Sequence, residues 1–319
     1  MTVSDSGPRV QGAGPTERCT PSQDAGSSER HAPSQDDSGE GHAPSQDAGT
    51  TGSRTLSLDD GDIHVRQDGP RDAPALLLVH GSASSLRSWD AMVPLLAGRH
   101  HVIRIDLLGH GRSGKPDDRS YATPDQARRV GEALDRLGIE HAVVAGHSSG
   151  GVVATALAEL RPGLVDALAL INTGPSLEAY IPQEPLPLDP ARWPPEDEQI
   201  LRFGRTAFSR PGFEVPQELV DEVRLMTFHT LTTTMRETTE YLRQRALPER
   251  LASLGEPLLV LFGADDGRWR SSSAADYRKV PGATVELLPG LGHTPILEDP
   301  PSAPPPSCWT SPHGGAERA

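Results

Sequence analysis

The sequence predicts an α/β protein built on a mostly parallel, doubly wound sheet with an inserted helical cap. From about residue 55 to residue 300, short apolar runs alternate with amphipathic helical segments. This alternation is typical of a sheet that helices cover on both faces. Residues 175–250 interrupt the rhythm with helical patterning and no strand-like run. We therefore expect residues 54–174 and 251–300 to form the core and residues 175–250 to form the cap.

The N-terminal residues 1–53 lack the apolar side chains that a folded domain needs. They contain no Ile, Leu, Phe, Trp or Tyr, and the motif Pro-Ser-Gln-Asp begins three times, at Pro21, Pro33 and Pro44. Such a segment cannot bury enough apolar surface to offset the entropy lost when it becomes ordered. We expect a disordered, low-complexity leader without chemistry.

Charge and composition argue against several classes of partner. The chain of 319 residues carries a formal net charge of −14, whereas nucleic acids and anionic membranes bind basic surfaces. It has no apolar run of about 18 residues that would span a membrane and no signal-peptide pattern. Its two cysteines, Cys19 and Cys308, lie in segments expected to be irregular, so neither is a candidate nucleophile, metal ligand or disulfide partner. We expect a cytoplasmic protein that acts on a small molecule without a metal or cofactor.

The strands follow one another in chain order. Residues 56–58 and 63–65 alternate around the turn Asp59-Asp60-Gly61-Asp62, which predicts a β-hairpin. Six later runs predict buried strands, at residues 75–79, 101–105, 142–145, 167–171, 258–262 and 284–288. Continuous apolar runs of this length are typical of strands covered on both faces.

Helices are expected between these strands. Thr123 and Pro124 read as an N-cap and a first helical turn. The residues Ala127, Val130, Leu134 and Leu137 then form one apolar stripe, as expected for a helix that packs on a sheet. A further helix is predicted at about residues 272–279. Seven of the thirteen aromatic residues lie in the predicted cap: Tyr180, Trp193, Phe203, Phe208, Phe213, Phe228 and Tyr241. They either form the cap's own core or line an apolar substrate pocket.

The most informative motif is Gly146-His147-Ser148-Ser149-Gly150-Gly151. It directly follows a predicted strand and opens an apolar helical run. A serine on such a sharp turn is raised above the edge of the sheet, and Gly146 and Gly150 let the chain pass closely. The backbone N–H of Ser149, at the start of the helix, would point at a developing oxyanion. The motif therefore predicts that Ser148 is a nucleophile.

A serine hydroxyl needs a base, and the base needs a partner that orients it. His293 follows the last predicted strand, and the pair Asp265-Asp266 follows the strand before it. The carboxyl ends of parallel strands meet at one edge of the sheet, where ligands bind in open α/β folds. We expect His293 and one of the two aspartates to lie beside Ser148.

With these motifs in place, the sequence resembles the α/β-hydrolase superfamily over about residues 56–300. The order Ser, Asp, His matches this family, as do His80-Gly81-Ser82 after an early strand and residues 106–113 after the next. The resemblance implies a catalytic triad of Ser148, Asp266 and His293, with Asp266 favoured over Asp265. It also implies an oxyanion hole formed by the backbone N–H groups of Ser82 and Ser149, and a scaffold role for residues 106–113.

Two other interpretations of the motifs are disfavoured. Residues 109–114 fit the pattern G-x-G-x-x-G, but a dinucleotide site would need a helix there, and Lys115-Pro116-Asp117-Asp118 reads as a turn. Dehalogenases and epoxide hydrolases of the same superfamily use an aspartate nucleophile, and position 148 is a serine.

The function expected from the sequence is a carboxylesterase-like serine hydrolase that cleaves a small, apolar ester or a related acyl compound. Three alternatives stay open: a carbon–carbon bond hydrolase or a cofactor-free perhydrolase with the same triad, and a non-catalytic ligand-binding protein on this fold. The motifs do not identify the substrate or the oligomeric state.

The C-terminal residues 301–319 depart from the family pattern, which has a final helix there. The run Pro301-Ser302-Ala303-Pro304-Pro305-Pro306 prevents a helix, because proline removes a donor and clashes with the preceding turn. We expect an irregular, Pro-rich tail and reduced stability. Restoring an amphipathic helix after Pro300 should then raise the melting temperature, and an unchanged value would count against this hypothesis.

Overall fold

The computed structural model describes residues 52–184 and 188–302. Most of the predicted leader and most of the predicted Pro-rich tail lie outside the described residues. The first strand begins at Gly52, so the boundary predicted at residue 53 falls inside this strand. At the other end, Pro300–Ser302 form a 3₁₀ turn.

One eight-stranded sheet forms the centre of the described chain, and the predicted α/β class is confirmed. The strands are β1 (Gly52–Leu58), β2 (Gly61–Asp68), β3 (Ala75–Val79), β4 (His101–Ile105), β5 (Ala142–His147), β6 (Val165–Ile171), β7 (Leu258–Gly263) and β8 (Thr284–Leu288). Their order across the sheet is β1-β2-β4-β3-β5-β6-β7-β8. The hairpin β1–β2 is antiparallel and β2 also pairs antiparallel with β4, whereas β3 to β8 run parallel to β4.

The apolar runs become strands because both faces of the sheet are buried. Along β3, Leu77 and Val79 point to one apolar cluster, whereas Leu76 and Leu78 point to the other. Successive side chains of a strand alternate between faces, so a strand inside a doubly wound sheet needs apolar residues at every position.

The helices lie on both faces of this sheet. Their bounds are α1 (Val93–Leu96), α2 (Thr123–Arg136), α3 (Ser149–Leu160), α4 (Asp197–Arg205), α5 (Gln217–Leu225), α6 (Phe228–Gln244), α7 (Leu247–Leu251) and α8 (Pro295–Glu298). Helices α2 and α3 cover one face, and α1 and α8 contribute to the cluster on the other.

Two local predictions differ from the structure. Thr123 is the first residue of α2, and Ala122 is its N-cap, because the chain enters the helix through an extended residue before the Thr-Pro pair. The helix expected at about 272–279 is a 3₁₀ helix over Ser271–Lys279.

The edge strand β8 is less buried than its apolar composition suggests. Thr284, Glu286 and Leu287 are exposed, and Leu287 keeps 49% of its surface in solvent. Position at the edge of the sheet, which the local sequence does not encode, decides this exposure.

The segment between β6 and β7, called the insertion below, includes the residues predicted as the cap and contains the helices α4 to α7. A small apolar cluster of Ile200, Val220 and Val223 packs α4 against α5. The two ends of this insertion meet, because the main-chain N–H of Leu247 donates to the carbonyl oxygen of Pro175 over 2.8 Å. The insertion therefore leaves and rejoins the core at one place.

The aromatic residues of the insertion divide among several environments. Phe208 stacks on Phe213 with 4.8 Å between ring centroids, and Trp193 meets Phe228 edge to face. Tyr241 instead packs into the main core beside α3, where its hydroxyl contacts the carboxylate of Glu159. The first two pairs agree with the expectation of a separate apolar core for the insertion.

No helix within residues 52–184 and 188–302 is long and apolar enough to cross a membrane.

Candidate active site

Ser148 stands on a strained turn between β5 and α3. Its backbone angles are φ 53° and ψ −121°, a left-handed region that costs energy for a residue with a side chain. The flanking glycines allow this turn. A Cβ on Gly146 would lie 2.5 Å from the backbone of Gly150, and one on Gly150 would lie 2.4 Å from the carbonyl oxygen of His80. The strain therefore presents a half-buried serine above the carboxyl edge of the sheet.

His293, in the loop after β8, contacts both other residues of the predicted triad. Its Nε2 lies 2.9 Å from Ser148 Oγ, and its Nδ1 lies 2.9 Å from Asp266 Oδ2. Since a carboxylate only accepts, Nδ1 carries the proton and Nε2 is free to accept one from Ser148. The imidazole is thus held in the tautomer that a general base for serine requires.

Asp266, after β7, is the aspartate that meets the base. Its carboxylate is buried and accepts the His293 ring, whereas Asp265 is exposed. Burial by itself would raise the pKa of Asp266. The neighbouring His293, together with hydrogen bonds from His293, Asn172 and the main chain of Arg268, outweighs burial and holds the pKa below its ordinary value. Asp266 is therefore charged at neutral pH.

The two residues predicted for the oxyanion hole lie next to each other beside the serine. The hydroxyl of Ser82 donates to the hydroxyl of Ser149 over 2.9 Å. A Cβ on Gly81 would be 3.2 Å from Ser148 Cβ, so the loop after β3 packs directly against the nucleophile. Ser149 is the first residue of α3, and the N–H groups of a first helical turn have no partner inside the helix.

His147, the residue before Ser148, contacts His293 through a ring nitrogen and through packing of the two rings. Its Nε2 donates to the carbonyl oxygen of His293 over 2.8 Å, and the two rings pack with 5.2 Å between centroids. Burial, with the neighbouring His293, lowers the pKa of His147 to about 3. The ring is therefore neutral at physiological pH and adds no positive charge beside the base.

Two polar residues that the sequence did not single out complete the surroundings of the triad. Asn172, one residue after β6, donates to Asp266. Glu298, in α8, accepts the main-chain N–H of Gly292, the neighbour of His293, over 2.9 Å. The available signal was position: Asn172 follows a strand at the same carboxyl edge, and Glu298 lies five residues after the candidate base.

The helical insertion packs on the loops that carry the acid and the base. The guanidinium of Arg268 lies over the ring of Phe203 at 4.7 Å, and the main-chain N–H of Thr294 donates to the carbonyl oxygen of Ala207 over 3.1 Å. Glu298 also accepts the N–H groups of Ser209 and Arg210. The positions of the acid and the base are therefore tied to the insertion.

A second Ser–His–Asp contact occurs at the other end of the sheet. His64 lies 2.8 Å from Ser53 Oγ and 2.8 Å from Asp106 Oδ2. Ser53 belongs to a regular edge strand, without the strained turn or the following helix that mark Ser148. Asp106 also accepts the main-chain N–H groups of Leu86 and Arg112. These contacts tie β1 and β2 to the loops that carry Leu86, Asp106 and Arg112, in keeping with the scaffold role expected for residues 106–113.

Within the described parts of the chain, no group of three or more His, Cys, Asp or Glu side chains is arranged to hold a metal ion. The candidate site contains one serine, one histidine and one aspartate joined in series, and this arrangement can transfer a proton away from a serine hydroxyl.

A known protein family matches most of the chain. Residues 76–303 match the model of the alpha/beta hydrolase family. The chain belongs to this family. The resemblance inferred from the motifs is therefore confirmed.

Several known proteins are similar over most of the chain. A Bacillus subtilis (strain 168) protein, "Putative 2-succinyl-6-hydroxy-2,4-cyclohexadiene-1-carboxylate synthase", is 26% identical over 266 residues, covering 78% of this chain and 94% of that protein. The "Putative carbamate hydrolase RutD" of Variovorax paradoxus (strain S110) is 30% identical over 258 residues, covering 72% of this chain and 89% of that protein. A crystal structure of a hydrolase from Pseudomonas aeruginosa PA01 superposes with a TM-score of 0.64 at 26% identity. The match covers 78% of this chain and 94% of that chain.

Proposed function

We propose that this member of the alpha/beta hydrolase family is a serine hydrolase with Ser148 as nucleophile, His293 as base and Asp266 as orienting acid. The observation that carries the proposal is the pair of 2.9 Å contacts that the His293 ring makes with Ser148 and with Asp266. A serine so aligned is activated because the base removes its proton as the hydroxyl attacks.

The proposed reaction has two halves. Ser148 Oγ attacks the acyl carbonyl and its proton passes to His293 Nε2, while the backbone N–H groups of Ser82 and Ser149 stabilise the oxyanion. His293 then gives this proton to the leaving group as the bond between the acyl carbon and the leaving group breaks. Water then attacks the acyl-enzyme, with His293 again as base, and releases the acid and free Ser148. Asp266 stays ionised throughout and stabilises the imidazolium.

The proposed substrate is a small, apolar ester or a related acyl compound. The insertion packs on the loops that carry Asp266 and His293, which supports a covered site for a small ligand beside Ser148. The names of relatives include a carbamate hydrolase and a lipase, both of which describe cleavage at an acyl carbon. A carbon–carbon bond hydrolase or a perhydrolase would use the same residues, and identification of the products separates these reactions.

A fluorophosphonate probe tests the proposal without knowledge of the substrate. Ser148 Oγ would form a bond to phosphorus as fluoride leaves and the proton passes to His293. We expect one adduct at Ser148, located by mass spectrometry, and none there in Ser148→Ala. An unmodified Ser148 in folded protein would contradict the proposal and favour a binding protein without catalysis.

The two adjacent aspartates provide a matched control for the acid. Asp266→Asn should slow modification of Ser148 by about a thousandfold or more, because the amide no longer holds the imidazole tautomer. Asp265→Asn changes an exposed side chain and should keep the rate within about twofold. Equal losses in both variants would remove Asp266 from its proposed role.

A further inference from the structure

The triad is held by a side chain that belongs to none of its three loops. Asn172 lies one residue beyond the end of β6, is fully buried, and adopts a left-handed backbone angle of φ 47°. Asparagine is one of the few residues with a side chain that tolerates this region. Its main-chain N–H donates to the carbonyl oxygen of Leu261 in β7 over 2.9 Å, which fixes the residue to the sheet.

The amide of Asn172 reaches both the acid and the loop of the base. One N–H of Nδ2 donates to Asp266 Oδ2 over 2.8 Å, and the other donates to the carbonyl oxygen of Gly292 over 3.0 Å. Its Oδ1 accepts the main-chain N–H of Gly263, at the end of β7, over 3.3 Å. All three contacts lead to residues within three positions of Asp266 or His293.

These contacts determine which way the amide points. A rotated amide would place Oδ1 beside a carboxylate oxygen of Asp266 and beside the carbonyl oxygen of Gly292, where two acceptors would meet. The NH₂ group therefore faces the acid, and the carbonyl faces the strand.

The donors around Asp266 show what Asn172 adds. Oδ1 accepts the main-chain N–H groups of Arg268 and Trp269 over 2.7 and 3.1 Å, and both come from the acid's own loop. Oδ2 accepts from His293 and from Asn172. Asn172 is thus the donor that ties this carboxylate oxygen to the rigid sheet, and it shares that oxygen with the base.

We propose that Asn172 is a positioning residue that sets the distance and direction between Asp266 and His293. It holds the acid through one N–H and the loop of the base through the other, so that both move together with β6. The proposal rests on the proposed function of the triad. Because the side chain of Asn172 is fully buried and contacts Asp266, Gly292 and Gly263 rather than Ser148, its loss should slow the chemical step and leave binding unchanged.

Two variants of Asn172 separate hydrogen bonding from packing. Asn172→Gly removes the side chain and tolerates the left-handed backbone angle. Asn172→Asp keeps the shape of the side chain but turns a carboxyl oxygen toward Asp266, which removes a donor and adds a negative charge. We expect each variant to lower the maximal rate of modification of Ser148 by fluorophosphonate about tenfold to a hundredfold. The probe concentration at half-maximal rate should stay within about twofold.

A matched control excludes a general effect of losing a buried amide. Gln126 in α2 is also buried and donates to the carbonyl oxygen of Leu108 over 2.9 Å. Gln126→Ala should lower the melting temperature without a comparable loss of the maximal rate. A second readout is the proton NMR signal of His293 Nδ1–H, which should shift in both Asn172 variants and stay in place in Gln126→Ala.

The outcomes distinguish failure of this proposal from failure of the proposed function. Suppose that the protein without substitutions reacts at Ser148, and that Asn172→Asp reacts at the same maximal rate with an unshifted Nδ1–H signal. The positioning role of Asn172 is then wrong, and the proposed triad stands. If the folded protein without substitutions does not react at Ser148, the proposed function itself is wrong.

Discussion

His147 donates a hydrogen bond from its ring to the main-chain oxygen of His293 over 2.8 Å. The residue next to the candidate nucleophile therefore holds the loop that carries the candidate base. Since both rings are buried and in contact, a displacement of one is transmitted to the other.

Removal of the ring donor should weaken the site. We expect His147→Ala to lower kcat/KM for a small ester about tenfold, equivalent to about 1.4 kcal/mol, because the His293 loop loses a buried hydrogen bond. His147→Gln restores a donor and should recover part of the loss. His141→Ala, which changes an exposed ring paired with Asp166 at 3.2 Å, serves as control. Equal rates in the Ala and Gln variants would argue against a role for the hydrogen bond.

Glu298 joins the base loop to the helical insertion, so we expect its neutralisation to cost stability. In Glu298→Gln one of the two acceptor oxygens becomes a donor and faces main-chain N–H groups. The free energy of unfolding should fall by about 1–3 kcal/mol, measured by urea denaturation.

Glu286→Gln provides the matched control, because Glu286 is exposed on β8. The prediction fails if both glutamine variants unfold at the same urea concentration.

The strained turn at Ser148 depends on the missing side chain of Gly150. A Cβ there would lie 2.4 Å from the carbonyl oxygens of Val79 and His80. We expect Gly150→Ala to lower Tm by roughly 10 °C, because overpacking against backbone costs about 3 kcal/mol or more. At Gly98 a Cβ would meet nothing within 4 Å, so Gly98→Ala should leave Tm nearly unchanged. Thermal unfolding of the two variants side by side tests this difference.

Buried neutral histidines should make the fold sensitive to acid. Burial, with the neighbouring His80, lowers the pKa of His110 from 6.5 to about 3. Between these two values the unfolded chain binds a proton that the native state does not, so the stability present above about pH 6.5 is lost as the pH falls toward 3. One such group contributes a slope of up to about 1.4 kcal/mol per pH unit.

The measurement is the free energy of unfolding as a function of pH. In His110→Gln the free energy of unfolding should decline less steeply between about pH 6 and pH 4 than in the protein without substitutions. This difference in slope is expected whatever the stability of the variant at about pH 8. Parallel curves would show that His110 does not titrate on unfolding.

The sequence was sufficient for features that depend on local chemistry. The strands were predictable because each apolar run is bounded by turn residues, and Ser148 was predictable because small residues surround it between a strand and a helix. His293 and the pair Asp265-Asp266 followed from their positions after neighbouring strands, and the family resemblance favoured Asp266 within that pair. The exposure of Leu287 was not predictable, because it depends on the place of β8 in the sheet.

The support around the triad was not predictable from the sequence. Asn172 is separated from Asp266 by 94 residues along the chain, and Glu298 is separated from Ser209 by 89. Whether a polar residue after a strand meets solvent or an acid depends on distances that only the packed structure provides. Local patterns therefore indicated the candidate triad but did not indicate the residues that contact it.

The hydrogen bond between Leu247 and Pro175 has a consequence for how this protein can diversify. Because the insertion leaves and rejoins the core at one place, its length and shape can change without altering the spacing of β6 and β7. A foreign helical segment grafted between these two residues would need to replace the contacts that the insertion makes with the core, among them those that reach Arg268, Thr294 and Glu298 and the packing of Tyr241 against α3. For the proposed serine hydrolase, an exchanged insertion would change the substrate range, while the candidate triad stays at the edge of the sheet.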